Sequence, residues 1–221
     1  MDKLTLFHGS EEIIEKPDLT IGNWFNDYGR GFYCTEEEAM AGEWACRNKR
    51  DGYINQYQLK LSNLKILDLT DEKYSILNWI ALLLENRRFR LDYPVAKEAR
   101  NYIIENYLPT TKGIDIIKGY RADDSYFQYA EAFVENALSL RLLERAMNLG
   151  DLGIQIAIMT PKAVDQLKFI DAKSVLADDY YSKFKIRDDD ARKTYKKLTQ
   201  EDSLETDIYV MDIIRGEVKT K

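Results

Sequence analysis

Leu4-Thr5-Leu6-Phe7-His8-Gly9-Ser10 and, further on, Asn26-Asp27-Tyr28-Gly29-Arg30-Gly31-Phe32-Tyr33-Cys34-Thr35 are the two stretches that decide the fold. The first alternates with the period of a β-strand. Leu4, Leu6 and His8 face one way, Thr5 and Phe7 the other, and Gly9-Ser10 is expected to end the strand. The second is a loop with two glycines that runs into a short strand, Phe32 to Thr35. There Tyr33 points opposite to Phe32 and Cys34. Thr35 is placed to cap a helix through Glu38, Ala41 and Trp44, with acidic residues in its first turn.

Outward from this pair of strands, Tyr53 to Leu61 alternates again, with Tyr53, Asn55, Tyr57 and Leu59 on one face. From Asp71 the period becomes helical. Asp71 is the expected cap of a helix through Ile76, Ile80, Leu83 and Leu84, and a second helix starts near Pro94 and carries Ala99, Tyr102 and Ile103. Ile114 to Gly119 returns to strand. Asp124 to Asn136 reads as a helix with Phe127, Ala130, Phe133 and Val134 on its buried stripe. Ser139 caps another that ends near Gly150. Ile154 to Met159 is an apolar strand, and Pro161 opens a helix from Lys162 to Lys168. The charged tail reads as two helices, 188–198 and 204–214. No internal repeat or low-complexity linker is present. The expected architecture is α+β: one domain over 1–175 with a helical insertion at about 71–108, and a helical extension over 176–221 packed on the same domain.

The 221 residues are 45% hydrophobic and 32% charged, the balance of a soluble globular chain with a proper core. The formal charge of −6 gives no general attraction to nucleic acid or to anionic membrane. Basic clusters at Arg47, Lys49 and Arg50, and at Arg192, Lys193, Lys196 and Lys197, read as solvated faces. Two cysteines make no disulfide framework, so a reduced, cytoplasmic setting is expected. No apolar run reaches the length of a membrane span. One histidine and two separated cysteines do not make a zinc pattern, and no metal is expected. A serine–histidine triad has no nucleophile elbow to support it.

His8-Gly9-Ser10 followed by the stretch from Asp27 to Thr35 resembles the opening of an ADP-ribosyltransferase-like fold of the class named for a His-Tyr-Glu triad. The closer resemblance is to a bacterial family of unknown function within that superfamily. It rests on four blocks in order: the Leu-aromatic-His-Gly-Ser start, the Asp-aromatic-Gly-basic-Gly-Phe-Tyr-x-Thr stretch, Gly119 to Phe127, and Gly153 to Leu167. The resemblance covers roughly residues 4 to 175. It implies a split β-sheet core, NAD as substrate, and transfer of ADP-ribose to an acceptor that is a macromolecule or a small molecule. It also implies, at the level of the superfamily, a toxin restrained by a partner antitoxin.

In such a site the bond between a cationic nicotinamide and ribose opens through an oxocarbenium-like centre. The protein must therefore grip the nicotinamide, fix the ribose and stabilise positive charge. By resemblance, His8 holds ribose hydroxyls and Gly9 allows close backbone approach. Tyr33 stacks on the cationic ring, and Gln155 takes the third position. Ser10, Arg30 and Gly31 complete the expected cofactor-binding set; Arg30 is also explained as an exposed turn residue, and Gly31 as a turn glycine. A glutamine at the third position can hold a hydroxyl but brings no charge. One carboxylate roughly 4 Å from a developing unit charge contributes on the order of 4 kcal/mol at an effective dielectric of about 20. An assisting acid is therefore expected, with Asp123, Asp124 and Glu131 as candidates and Asp124 preferred. Two other outcomes stay open: an NAD glycohydrolase using water as acceptor, and a degenerate enzyme fold that serves as a binding module. Cys34 reads as a small core residue.

Overall fold

The computed structural model of the chain describes residues 3–122, 124–149 and 153–217, with side chains throughout except at 124–126 and 147–149. Among the described residues, seven strands form one sheet in the order β4-β5-β6-β2-β1-β3-β7. The strands are β1 (Lys3–Ser10), β2 (Phe32–Thr35), β3 (Gly52–Lys60), β4 (Ile66–Asp68), β5 (Ile116–Tyr120), β6 (Ile154–Ile158) and β7 (Leu167–Val175). The helices are α1 (Glu38–Cys46), α2 (Ile76–Asn86), α3 (Pro94–Tyr107), α4 (Asp124–Val134), α5 (Leu140–Leu149), α6 (Pro161–Val164), α7 (Ala177–Leu198) and α8 (Val210–Ile214). The α+β expectation holds.

The chain divides into two compact units. The sheet unit comprises Met1–Thr70, Thr111–Arg121 and Gly153–Arg187, and the helical unit Asp71–Thr110, Ala122–Leu152 and Asp188–Lys221. The helical insertion read at 71–108 is thus one of three segments that build the helical unit. In that unit Tyr129 is fully buried and its hydroxyl donates to the Ala191 carbonyl at 3.1 Å. Arg141 grips Asp207 with two parallel bonds of 2.6 and 2.9 Å, which ties α5 to the segment before α8.

The sheet is covered on both faces. Leu6, Phe32, Cys34, Tyr57, Leu59, Ile116, Ile156 and Ile158 form one core with Ala163 and Val164 of α6. On the other face Ala41, Ala45 and Cys46 of α1 pack with Ile54 and Val175, and Phe7 lies against them. Because side chains alternate along a strand, Leu6 and Phe7 separate these two cores.

β1 pairs with β3 along its whole length, from Lys3 opposite Lys60 to Ser10 opposite Tyr53. With β2 it shares a single pair, Phe7 opposite Thr35. The sheet is therefore two halves, β7-β3-β1 and β2-β6-β5-β4, joined at one residue pair.

Several local expectations shift. Gly9 and Ser10 do close β1, but as its last two paired residues, opposite Ile54 and Tyr53 of β3. The Thr35 hydroxyl accepts from the Glu37 amide at 3.1 Å, which leaves Glu37 at the start of α1. Asp71 closes a turn instead, accepting from the Lys73 amide at 3.2 Å. Ser75 caps α2 in a reciprocal box with Asn78. The helix opened by Pro161 stops at Val164, and residues 167–175 form β7. β7 is recruited by pairing with β3, where Leu167 lies opposite Leu59 and Val175 opposite Gly52.

At Gly9 the backbone of α1 packs directly against β1. A Cβ built there would lie 1.8 Å from the Ala41 carbonyl oxygen and 2.7 Å from the Ala45 amide nitrogen. Both obstacles are helix backbone, so nothing flexible can give way. Gly9→Ala is expected to cost roughly 3 kcal/mol or more of stability, read as a lower denaturation midpoint at unchanged slope. A variant as stable as the parent would show that α1 can withdraw from β1.

Candidate functional site

The site begins where β1 and β2 part. Past the Phe7–Thr35 pair the ladder stops, and the His8 ring bridges the gap, with Nδ1 2.6 Å from the Tyr33 carbonyl oxygen. A carbonyl can only accept, so Nδ1 carries the proton. The ring packs against Phe32 with centroids 4.2 Å apart. Burial favours the neutral imidazole and lowers the His8 pKa from 6.5 to about 4, outweighing the opposing pull of the Tyr33 carbonyl. Near neutral pH His8 is thus an Nδ1–H tautomer whose Nε2 is a hydrogen-bond acceptor.

Alternation sets the other two residues of the expected triad on the opposite face. Tyr33 lies opposite Ala157, and Thr35 opposite Gln155, which in turn lies opposite Gly119. These share the face of Phe7, whereas His8 shares the face of Leu6 and Phe32. The bond from the imidazole to the Tyr33 backbone joins His8 to this group.

Tyr33 and Gln155 sit in a buried polar network. The Tyr33 hydroxyl donates to the Gly29 carbonyl at 2.7 Å and accepts from the Tyr28 amide at 3.0 Å. Its ring lies nearly parallel to that of Tyr28, with centroids 6.4 Å apart. Gln155 Nε2 donates to Asp27 Oδ2 at 2.7 Å and to the Tyr120 carbonyl at 3.2 Å. The Tyr28 hydroxyl donates to the same carbonyl at 2.5 Å. Gln155 is 4% exposed and Asp27 5%. Both amide hydrogens of Gln155 are used, which leaves Oε1 as its acceptor. Gly119 keeps room for the phenol, since a Cβ there would lie 2.5 Å from the Tyr28 hydroxyl.

The loop from 11 to 31 is fastened at both ends. At its start Asn55, fully buried, accepts from the Ile14 amide at 2.8 Å and donates to the Glu12 carbonyl at 3.2 Å and the Ser10 hydroxyl at 3.0 Å. Ser10 in turn donates to the Glu12 carbonyl, and the Tyr57 hydroxyl to the Ile14 carbonyl, each at 2.5 Å. At its end Gly29 has φ +82°, a left-handed turn, and a Cβ on Gly31 would meet the Ile158 carbonyl oxygen at 2.9 Å. Between the anchors Trp24 is 65% exposed, and the Arg30 guanidinium lies 4.6 Å from its ring centroid.

Gly9, Ser10 and Gly31 thus have packing or loop-fastening tasks, Arg30 stacks on an exposed indole, and Tyr33 and Gln155 are tied together through Tyr28, Asp27 and Tyr120. The Asp124 side chain and the whole of Asp123 lie outside the described residues. Glu131 belongs to the helical unit, where burial raises its pKa. Burial also pushes the Cys34 thiol up, consistent with a core residue rather than a nucleophile. Sequence reasoning missed Asn55 and Asp27. Asn55 falls on the inward face of an alternating strand, a place where a polar residue implies a bonded role. Asp27 stands inside the quoted block, but no local pattern announces its distant partner. Among the described residues no group of three or more histidine, cysteine or acidic side chains could hold a metal ion.

The single histidine makes the pH dependence readable. Its folded pKa, about 4, lies below the unfolded 6.5, so the unfolded chain binds more protons in between. This contribution is fully present above about 6.5 and is lost as pH falls through about 4. It amounts to at most about 3 kcal/mol. His8→Gln is expected to flatten that segment of a urea-midpoint-versus-pH curve; an unchanged curve would refute the buried neutral imidazole.

No helix among the described residues is long and apolar enough to cross a membrane. No curated protein and no solved structure matches the chain. A family model matches residues 4–169, a span that contains all four sequence blocks in full, and the chain belongs to that family, described as Protein of unknown function (DUF3990).

Proposed function

We propose that this protein binds NAD where β1 and β2 part and transfers its ADP-ribose to an acceptor. The observation that carries the reading is the His8 imidazole at the parting, fixed as the Nδ1–H tautomer by the Tyr33 carbonyl and neutral through burial. That arrangement leaves Nε2 to accept a hydrogen bond from a ribose hydroxyl, the role that the resemblance to ADP-ribosyltransferase-like proteins assigns to the histidine. The two-halved sheet agrees with the split core that the resemblance implies.

The chemistry is that of a glycosyltransferase. The bond between ribose C1′ and the nicotinamide nitrogen breaks, and its electron pair leaves with nicotinamide, now neutral. An acceptor lone pair forms the new bond to C1′ and the acceptor loses a proton. A protein, a nucleic acid or a small molecule serves as acceptor; with water the same site is an NAD glycohydrolase. A toxin held by an antitoxin is the cellular form of this reading. A second reading, an NAD-binding module without turnover, is favoured by the internal use of both Gln155 amide hydrogens and of the Tyr33 hydroxyl.

NAD at about 100 times its Kd is expected to stabilise the fold by about 2.7 kcal/mol, seen as a rise in melting temperature. Nicotinamide release is expected to fall at least about 100-fold in His8→Ala. Label transferred from NAD to a lysate component identifies a transferase, and equal free ADP-ribose and nicotinamide a glycohydrolase. A melting shift without release supports the module. Neither a shift nor release would sink every NAD reading.

A further inference from the structure

We propose that Trp24 is the platform on which the adenine of NAD stacks, so that the dinucleotide lies with its nicotinamide ribose at His8 and its adenine on the loop between β1 and β2. This rests on the reading of the site as one that binds NAD. The loop joins the two strands that part, leaving β1 after Ser10 and entering β2 at Phe32. It also lies on the right face of the sheet. Ile14 and Leu19 pack against the core that contains Leu6 and Phe32, the face His8 shares. The side chains that the loop exposes therefore border the parting on the imidazole side.

Ile21, Trp24 and Phe25 are all exposed there. One exposed aromatic is ordinary surface; a cluster of large apolar side chains on a loop fastened at both ends marks a place of contact. Trp24 is the member held in place. The Arg30 guanidinium, 4.6 Å from the ring centroid, covers one face of the indole and leaves the other open. Arg30 Nε is buried without a hydrogen-bond partner. The Asp18 carboxylate feels the guanidinium charge but accepts its bond from the Thr20 amide, at 2.7 Å. Gly22 lets the loop rest on the Arg30 segment, since a Cβ there would lie 3.1 Å from the Gly31 carbonyl oxygen and 3.5 Å from Arg30 Cγ. The contacts run in one order: Trp24 on Arg30, Arg30 two residues before Phe32, and the Phe32 ring 4.2 Å from that of His8. NAD has the same order, with a flat base, a diphosphate and then the nicotinamide ribose. Glu11, Glu12, Glu15 and Asp18 make the rest of the loop acidic, so it draws no anion in general. Stacking of an uncharged base is independent of that charge.

The test is binding of NAD, AMP and nicotinamide mononucleotide to the full chain, followed by melting shift and by tryptophan fluorescence. Trp79 is buried and Trp44 half-buried, so quenching by AMP reports on Trp24. Trp24→Ala is expected to weaken NAD and AMP at least about fivefold, the lower end for loss of one base–aromatic stack, and to leave nicotinamide mononucleotide within about twofold of the parent. Trp24→Phe keeps a ring and is expected to bind NAD within about threefold of the parent. Parent-like NAD affinity in Trp24→Ala, an equal loss for nicotinamide mononucleotide, or no quenching of the parent by AMP overturns the proposal while leaving the NAD reading intact. Trp24→Ala that binds NAD normally but no longer transfers label to a macromolecule assigns the loop to the acceptor and also overturns it. Should Trp24→Ala fail to fold, Trp24→Phe and the AMP quench decide: a Trp24→Phe that loses NAD at least about fivefold overturns the proposal. A parent chain with neither a melting shift with NAD nor nicotinamide release overturns the NAD reading and this inference together.

Discussion

Two halves of a sheet meet at one residue pair, Phe7 opposite Thr35, and every feature of the candidate site follows from what happens where that pairing stops. A strand that leaves its neighbour must find other partners for its backbone, because unpaired buried amides and carbonyls are costly. Here a side chain takes over: His8 Nδ1 donates to the Tyr33 carbonyl that a β-ladder amide would otherwise reach. The bond selects the tautomer, and the apolar setting against Phe32 selects the charge state. The bond that completes the sheet thus also fixes which ring nitrogen is the acceptor.

The loop between β1 and β2 obeys the same accounting. It runs about twenty residues without regular structure, a length that needs its own fasteners. Asn55 and Tyr57 of β3 hold its first part, while Tyr33 and the Asp27–Gln155 contact hold its last. Most of these bonds join side chains to main chain, so the loop is shaped by polar contacts. Between the fasteners Ile21, Trp24 and Phe25 face solvent, while Leu19 packs against the core of the sheet.

Much of this was legible because alternation is a local property. The opposite facing of Tyr33 and Cys34, the strands at 32–35 and 154–158, and Ser139 as the cap of α5 all follow from near neighbours. β7 was not legible. Its burial falls at Leu167 and Val175 with a register shift opposite Gln56 and Tyr57, so no strict period of two appears, and the Pro161 helix start hid it. Ser75 displaced Asp71 as a cap because the decisive bond is its reciprocal one with Asn78. Within the site, residue types were readable but companionship was not. His8 and Tyr33 lie on opposite faces, a relation fixed by the Phe7–Thr35 register. The acid beside Gln155 comes from 128 positions away.

β7 closes one side of the sheet, and among the described residues no strand lies beyond its outer backbone. A nine-residue edge of this kind is a template on which another chain can add a strand, the first step of ordered aggregation. Lys168, Asp171 and Lys173 lie along it, and the irregularity at Gln56/Tyr57 bends the ladder beneath. Charge and a bulge are the usual devices by which an edge discourages such growth. The exposed Ile170 among these charges is the point at which that defence is thinnest.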